Sequence, residues 1–198
     1  MNGSNAPADV PAHHGALLPL LGTDQEVIDF FAGIADLDAT NPADQHLEDG
    51  IRLASGARLE QFARGASGDA YCFVGEGGEE RPVVYISLDG EAGPIALGLP
   101  ELVRLSLVAP WWRDAPGRTA DELQVVAGYY REDMPDLDRR RDRASRALGL
   151  DPAGLPPEAT VLARLGELSR GPVAAACVIV GDESEPLDPL FASPAETG

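Results

Sequence analysis

The chain has 198 residues, and its 33 acidic and 15 basic side chains give a formal net charge of −18 at pH 7. This charge argues against a nucleic-acid ligand and against an anionic membrane surface, because both would repel the protein. The length suits one domain with a sizeable core. The longest apolar run, residues 173–180, is too short to span a bilayer, so we expect a soluble, cytoplasmic protein.

The N-terminal part is predicted to hold a polar tail and one helix. Residues 1–15 lack the basic start and apolar core of a secretory signal, which favours a disordered tail. Thr23-Asp24-Gln25-Glu26 has the spacing of a capping box at a helix start. The apolar residues that follow share one helical face: Val27, Phe30, Phe31, Ile34 and Leu37. Residues 51–54 are interpreted as a short strand.

From residue 59 the pattern becomes that of short β-strands separated by glycine-rich turns. The predicted strands cover residues 59–63, 70–74, 82–87 and 94–97. Tyr71 and Phe73 fall on one face of their strand and Cys72 on the other, so both faces are apolar and the sheet should be covered on both sides. The links are short, so we expect an antiparallel meander.

The C-terminal third is predicted to be mainly helical. Pro100 suits the first turn of a helix that ends at Pro110. Thr119-Ala120-Asp121-Glu122 repeats the capping-box spacing. Two further helices are predicted at 136–148 and 157–169, followed by a last strand at 173–180. Beyond it, Leu190 and Phe191 are the residues expected to anchor an otherwise loose end.

These elements predict an α+β fold, a mostly antiparallel meander of about five to six strands with flanking helices. We expect tails at 1–15 and 183–198 around one domain at 16–182, with a core at 16–113 and a helical extension plus the final strand at 114–182. Cys72 and Cys177 lie in apolar runs, which favours buried free thiols. All basic residues are arginine, a bias typical of GC-rich bacterial genomes.

The motifs that could carry chemistry favour structural interpretations. His13, His14 and His46 have no cysteine at zinc-ligand spacing, so neither a metal nor another cofactor is expected. GASGD at 65–69 departs from the G-x-S-x-G nucleophile elbow and is predicted to be a tight turn. GEGGEE at 75–80 has three carboxylates and no lysine, which excludes a phosphate loop and favours a hairpin turn.

Three more motifs also favour structural interpretations. Asp89-Gly90-Glu91 lacks the alternating oxygen ligands of a calcium loop and is predicted to be a bend. RRRDR at 139–143 belongs to a nearly neutral stretch, so an ion-paired, solvated helix face is preferred to a nucleic-acid patch. Trp111 and Trp112 suit core or helix-end packing better than a partner-binding platform.

Three stretches between residues 59 and 113 carry a family resemblance: LEQFARGASGDAYCFVG, PVVYISLDGEAGPIALGLPELVRL and PWWRD. Together they resemble the SUKH superfamily, which groups bacterial toxin-immunity proteins with yeast cell-wall-assembly regulators. The resemblance implies an α+β binding domain that is not an enzyme. It also implies an immunity protein that neutralises a toxin domain of the nuclease or deaminase type.

The net charge fits a basic toxin-domain partner, because an acidic inhibitor can occupy the substrate groove of a protein that acts on nucleic acid. The candidate partner-binding residues are an acidic rim and two tryptophans: Asp69, Glu76, Glu79, Glu80, Asp89, Glu91, Trp111 and Trp112. Two alternatives remain open. One is a scaffold or regulatory module of the same fold, and the other is an enzyme with carboxylates converging in a pocket. The oligomeric state is open as well.

Overall fold

Five strands form the main sheet in the computed structural model, which describes residues 16–41, 47, 49–181 and 184–191. Together with a second, smaller sheet, the described residues form seven strands: β1 (Arg52–Leu53), β2 (Leu59–Arg64), β3 (Ala70–Val74), β4 (Val83–Ile86), β5 (Glu91–Ala96), β6 (Ile179–Val180) and β7 (Asp188–Pro189). The order in the main sheet is β2-β3-β4-β5-β7, and β1 pairs with β6 in a separate two-stranded sheet. Strands β2 to β5 form the predicted antiparallel meander, while β7 joins β5 in parallel.

The described residues also form seven α-helices that flank the sheet. They are α1 (Leu17–Thr23), α2 (Gln25–Phe31), α3 (Leu99–Val108), α4 (Ala120–Asp133), α5 (Leu137–Ala147), α6 (Glu158–Leu168) and α7 (Pro172–Ala176). Among these described helices, none has the length and apolar character needed to cross a bilayer. The predicted α+β class, with a helical C-terminal third, is confirmed.

The sheet is covered on both faces, as the alternation of apolar residues predicted. Tyr71, Phe73 and Tyr85 point to one face and pack with the helices in the larger core cluster. Cys72 points to the other face and packs with Cys177 of the segment that follows α7. Both cysteines are buried free thiols, as expected. Buried residues of α4, α5 and α6 belong to the larger cluster, so the C-terminal helices share their core with the sheet.

The N-terminal helix begins differently from the prediction. Residues 17–23 form α1, so Thr23 ends one helix instead of capping the next, and its hydroxyl donates to the Pro19 carbonyl. Asp24 caps α2, because its carboxylate accepts the amides of Glu26 and Val27 at 3.0 and 3.2 Å. The capping-box prediction at Thr23 is therefore wrong by one residue. Helix α2 ends at Phe31, so the predicted helical stripe continues only as buried side chains of the following turn.

Half of the predicted last strand, residues 173–176, is helical. Pro172 opens α7, which reaches Ala176, and only Ile179–Val180 forms a strand, paired with β1. Proline is pre-organised for the first helical position, and alanine is the best helix former. The helical preference of Pro172 and of the three alanines that follow Val173 therefore outweighs the strand preference of the β-branched residues nearby. Farther along the chain, Leu190 is buried in the larger core cluster, next to β7.

Candidate functional site

The turns of the main sheet separate the predicted acidic rim into two groups. Because β3 and β4 are antiparallel, the β2–β3 and β4–β5 turns share one end of the sheet, and the β3–β4 turn lies at the other. Asp69, Asp89 and Glu91 belong to the first end; Glu76, Glu79 and Glu80 belong to the opposite end. The structure therefore does not bring the six carboxylates into one surface.

At the opposite end, Glu79 has a structural role. Its two carboxylate oxygens accept the amides of Leu17 and Leu18 at 2.8 and 2.7 Å, which attaches the start of α1 to the β3–β4 turn. Glu76 lies 3.5 Å from Arg58, and Glu80 accepts the amide of Gly78 within its own turn. Glu76 and Glu80 are exposed, whereas Glu79 is half-buried and both of its carboxylate oxygens are used to hold α1.

Asp69 lies at the first end but is buried, with 8% of its surface exposed. Its carboxylate accepts the Ser67 hydroxyl at 2.5 Å and the Leu88 amide at 3.0 Å, which joins the β2–β3 turn to the β4–β5 turn. Burial raises the pKa of Asp69, but the hydrogen bonds from Ser67 and Leu88 outweigh it and hold the pKa below its ordinary value of 3.8. Asp69 therefore fixes the shape of the two turns and is not part of an exposed rim.

A charged cluster beside Asp69 was missed by the sequence analysis. The Arg113 guanidinium donates to the Ala35 carbonyl at 2.7 Å and to the Tyr71 hydroxyl at 2.9 Å, and lies 3.6 Å from the Asp36 carboxylate. Asp36 itself has a left-handed backbone, with φ of 53°. The only sequence signal was the arginine of PWWRD, which the prediction treated as a helix end.

Gly65 shows how closely this cluster is packed. A β-carbon at Gly65 would lie 2.9 Å from a carboxylate oxygen of Asp36 and 3.0 Å from one of Asp69, so no larger residue fits without a shift. Burial raises the pKa of Tyr71 and of Tyr85, so both phenols keep their protons, while Asp69 stays ionised near neutral pH. The arrangement is suited to holding two turns together and poorly suited to transferring protons.

The exposed residues at the first end include two that line a pocket, Leu88 and Asp49, and three acidic residues that adjoin lining residues in the sequence. Leu88 is 57% exposed at the tip of the β4–β5 turn, beside Asp89. A pocket of about 310 Å³ lies below it, with Asp49 in its wall, and Glu91 stands directly opposite Asp188 in the parallel pair of β5 and β7. We call these five residues the bend surface: Asp49, Leu88, Asp89, Glu91 and Asp188.

The charge of the bend surface comes from its four carboxylates. Within the described residues, none of them lies within ion-pair distance of an arginine. Arg52, on β1, is occupied instead by the carbonyls of Gly50 and Gly181 and by the Ser184 hydroxyl. The remaining wall of the pocket combines the aliphatic side chains of Leu47, Ile51, Ala70, Ile86 and Leu187 with the polar side chains of Gln61 and Ser87 and with three glycines. The bend surface thus combines an exposed apolar residue with uncompensated negative charge.

Both tryptophans of the predicted site are in the core. Trp111 and Trp112 are 1% and 0% exposed. Trp112 makes edge contacts with Tyr71 and Tyr85, with ring centroids 6.4 and 5.2 Å apart, and Trp111 packs on Tyr130 at 5.5 Å. Because neither indole lies on the surface, their burial supports a packing role and not a partner-binding platform.

The other predicted motifs behave as structure. In α5, Asp136 pairs with Arg139 and Arg140, and Asp138 pairs with Arg141, so the arginine-rich run is the ion-paired helix face that was predicted. Among the described residues, no group of three or more histidine, cysteine or acidic side chains is arranged to hold a metal ion. His13, His14 and His46 lie outside those residues.

Comparisons of the chain with family models, with curated proteins and with solved structures found no match. The resemblance to the SUKH superfamily consequently remains a prediction from the three stretches quoted above. The function is therefore argued from the bend surface and the charge of the chain.

Proposed function

We propose that this protein binds a basic protein partner through the bend surface. We further propose that the partner is a toxin domain acting on nucleic acid, which the chain neutralises in the bacterial cytoplasm as an immunity protein of the SUKH type. The observation that supports this proposal is the exposed Leu88 at a partly apolar pocket, together with four carboxylates that form no ion pair within the described residues. The net charge of −18 would also attract a basic partner over longer distances.

Apolar and charged groups at the bend surface would have different roles in binding. An exposed leucine beside a concave apolar wall gains free energy when a partner covers it, which favours a stable complex. A partner lysine or arginine would lay its aliphatic stem against Leu88 and Ile51 and bring its charge to Asp49. The outer carboxylates, Asp89 and Glu91, would mainly accelerate encounter with a basic surface and reject acidic proteins.

The rigidity of the bend supports the same proposal. Asp69 fixes the Leu88 amide, while the Ser87 hydroxyl accepts the amides of Asp89 and Glu91 at 3.2 and 3.3 Å. A turn held in this way loses little conformational freedom when a partner docks. A basic toxin bound across this surface would have its own nucleic-acid groove covered by carboxylates that mimic phosphate charge.

The proposal can be tested by affinity capture from the native lysate with the purified chain as bait. Wild type, Leu88→Ser and the double reversal Asp89→Arg with Glu91→Arg are compared at low and at raised salt, and captured chains are identified by mass spectrometry. The matched control is Glu76→Arg with Glu80→Arg, an equal charge change at the opposite end of the sheet.

We expect wild type and the control to capture a basic toxin-domain protein that raised salt releases, while both bend-surface variants lose it. Co-expression of that protein with the wild-type chain should then protect the cells. Capture of a housekeeping assembly without a toxin domain would favour the scaffold alternative. Capture that is insensitive to Leu88→Ser and to the charge reversal would remove the bend surface from the proposal.

A further inference from the structure

Helix α4 packs through one side only. Leu123 and Ala127 are its buried residues, and Gln124 and Arg131 reach Glu158 of α6 at 3.5 and 3.4 Å. These contacts place the opposite side of the helix in solvent. That side carries five residues spaced by three and four positions, which we call the α4 face: Asp121, Val125, Gly128, Tyr129 and Glu132.

The α4 face exposes apolar side chains that the fold leaves uncovered. Val125 is 54% exposed and Tyr129 is 62% exposed, the highest value among the large apolar residues of the described chain. They lie one helical turn apart, so their side chains form a continuous strip. Apolar side chains one helical turn apart provide a strip on which the apolar side of another helix can pack.

Gly128 lies between these two residues in the middle of α4. A β-carbon there would meet no described atom within 4 Å, and the backbone is regular helix, so neither packing nor an unusual φ requires glycine. Glycine lowers the stability of a helix interior relative to alanine. The role that fits a glycine at this position is to let the backbone of another chain approach closely.

The charge of the α4 face selects the kind of partner. Asp121 and Glu132 flank the apolar strip, and neither pairs with an arginine in the part of the chain that the structure describes. In a symmetric dimer through this face, each of these carboxylates would meet those of the second copy, which is repulsive. The apolar strip and the two flanking carboxylates together fit a basic segment of a different protein.

We infer that the α4 face is a docking site for an amphipathic helix of a basic protein, separate from the bend surface. Apolar side chains of that helix pack on Val125 and Tyr129, its backbone crosses at Gly128, and its lysines or arginines lie beside Asp121 and Glu132. The inference rests on the proposed function for the basic nature of the partner. It adds a second surface and a helical mode of recognition.

The experiment uses the full chain and a labelled peptide of about 14 residues, the length of α4. The peptide contains only leucine and lysine, with leucine at i, i+3, i+4 and i+7, and binding is measured by fluorescence anisotropy at physiological salt. The test variants are Gly128→Gln and Tyr129→Ser. Ala163→Gln on the exposed side of α6 is the matched control for a new glutamine, and Leu88→Ser is the control for the bend surface.

We expect Gly128→Gln to raise Tm while it weakens peptide binding by about tenfold or more, because it blocks the crossing point and favours the helix. Tyr129→Ser should weaken binding similarly, Ala163→Gln should leave it unchanged, and Leu88→Ser should weaken it less than either α4 variant. Opposite signs for Tm and affinity exclude misfolding as the cause. The inference is overturned if the peptide does not bind, if both α4 variants bind it like wild type, if Leu88→Ser weakens it equally, or if Gly128→Gln lowers Tm.

The two proposals fail separately in these experiments. If Leu88→Ser abolishes capture of the basic lysate protein and Gly128→Gln leaves both capture and peptide binding unchanged, the proposed function stands and the α4 face is excluded. If the lysate yields no basic partner but peptide affinity depends on Gly128 and Tyr129, the α4 face stands without an immunity role.

Discussion

Replacing Asp69 with alanine should destabilise the whole protein, although Asp69 was first grouped with exposed rim residues. The carboxylate accepts hydrogen bonds from the Ser67 hydroxyl and the Leu88 amide, and only 8% of the residue is exposed. In Asp69→Ala the Ser67 hydroxyl can turn to water. The Leu88 amide loses its acceptor.

The magnitude follows from those two donors. A hydrogen bond to a charged group contributes roughly 1.5–3 kcal/mol, and a buried donor without an acceptor costs about 1–3 kcal/mol. Because the Leu88 amide lies in an exposed turn, where water can replace part of its bond, we expect Asp69→Ala to lower the free energy of unfolding by about 2–4 kcal/mol. This is a large fraction of the roughly 5–15 kcal/mol typical of a folded domain.

Urea unfolding followed by circular dichroism at neutral pH measures this loss. Asp89→Ala, in the same turn but exposed, is the control and should stay within about 0.5 kcal/mol of wild type. A loss below about 0.5 kcal/mol for Asp69→Ala would show that the two turns hold each other without this carboxylate, and the account of the bend would be wrong.

Acid titration provides a second check. The pKa of Asp69 is lower in the folded state than its ordinary value of 3.8, so the unfolded chain takes up the proton first as the pH falls. The stabilisation by Asp69 is therefore fully present above that ordinary value and is lost as the pH falls through the folded pKa. The stability difference between wild type and Asp69→Ala should shrink below about pH 4, and a constant difference would contradict the assignment.

Three other predictions concern stability and reactivity. Phe30→Ala, which truncates a buried ring of the larger core cluster, should cost about 3–5 kcal/mol in the same urea assay, and a loss under about 1 kcal/mol would contradict its core position. Glu79→Ala should cost about 1–2 kcal/mol because the first amides of α1 lose their acceptor, whereas Glu80→Ala should be nearly neutral; equal losses would refute the anchoring role. Burial raises the pKa of the Cys72 thiol to about 12, so iodoacetamide should label it only in urea, and rapid labelling of the native protein would show the thiol to be accessible.

The two T-x-x-E motifs show where local sequence is sufficient and where it is not. At Thr119 the motif follows a proline–glycine turn, and it forms the predicted capping box, with the Thr119 amide donating to Glu122 at 2.7 Å. At Thr23 the same spacing follows the apolar run LLPLLG, which continues as α1 up to Thr23 itself. The motif is therefore predictive only when the residues before it cannot extend an earlier helix.

The roles of the acidic residues could not be predicted because their partners are far away in the chain. The partners of Glu79 are the amides of Leu17 and Leu18, and that of Asp69 is the Leu88 amide on the other side of β3 and β4. A local pattern shows only a carboxylate in a glycine-rich turn, which is typical of an exposed loop. Strands β2 to β4 were predicted well, because the alternation around Tyr71 depends only on residues within one strand.

The pocket below the bend surface has walls from widely separated parts of the chain, with Ile51 on one side and Leu187 on the other. During synthesis, the hairpins of β2 to β5 can pair as soon as they leave the ribosome, since their contacts are local. The pocket cannot close until Ile179–Val180 has paired with β1 and Asp188–Pro189 with β5. A nascent chain therefore acquires a stable sheet well before it acquires this pocket, and it can hold a partner there only after these later segments have emerged.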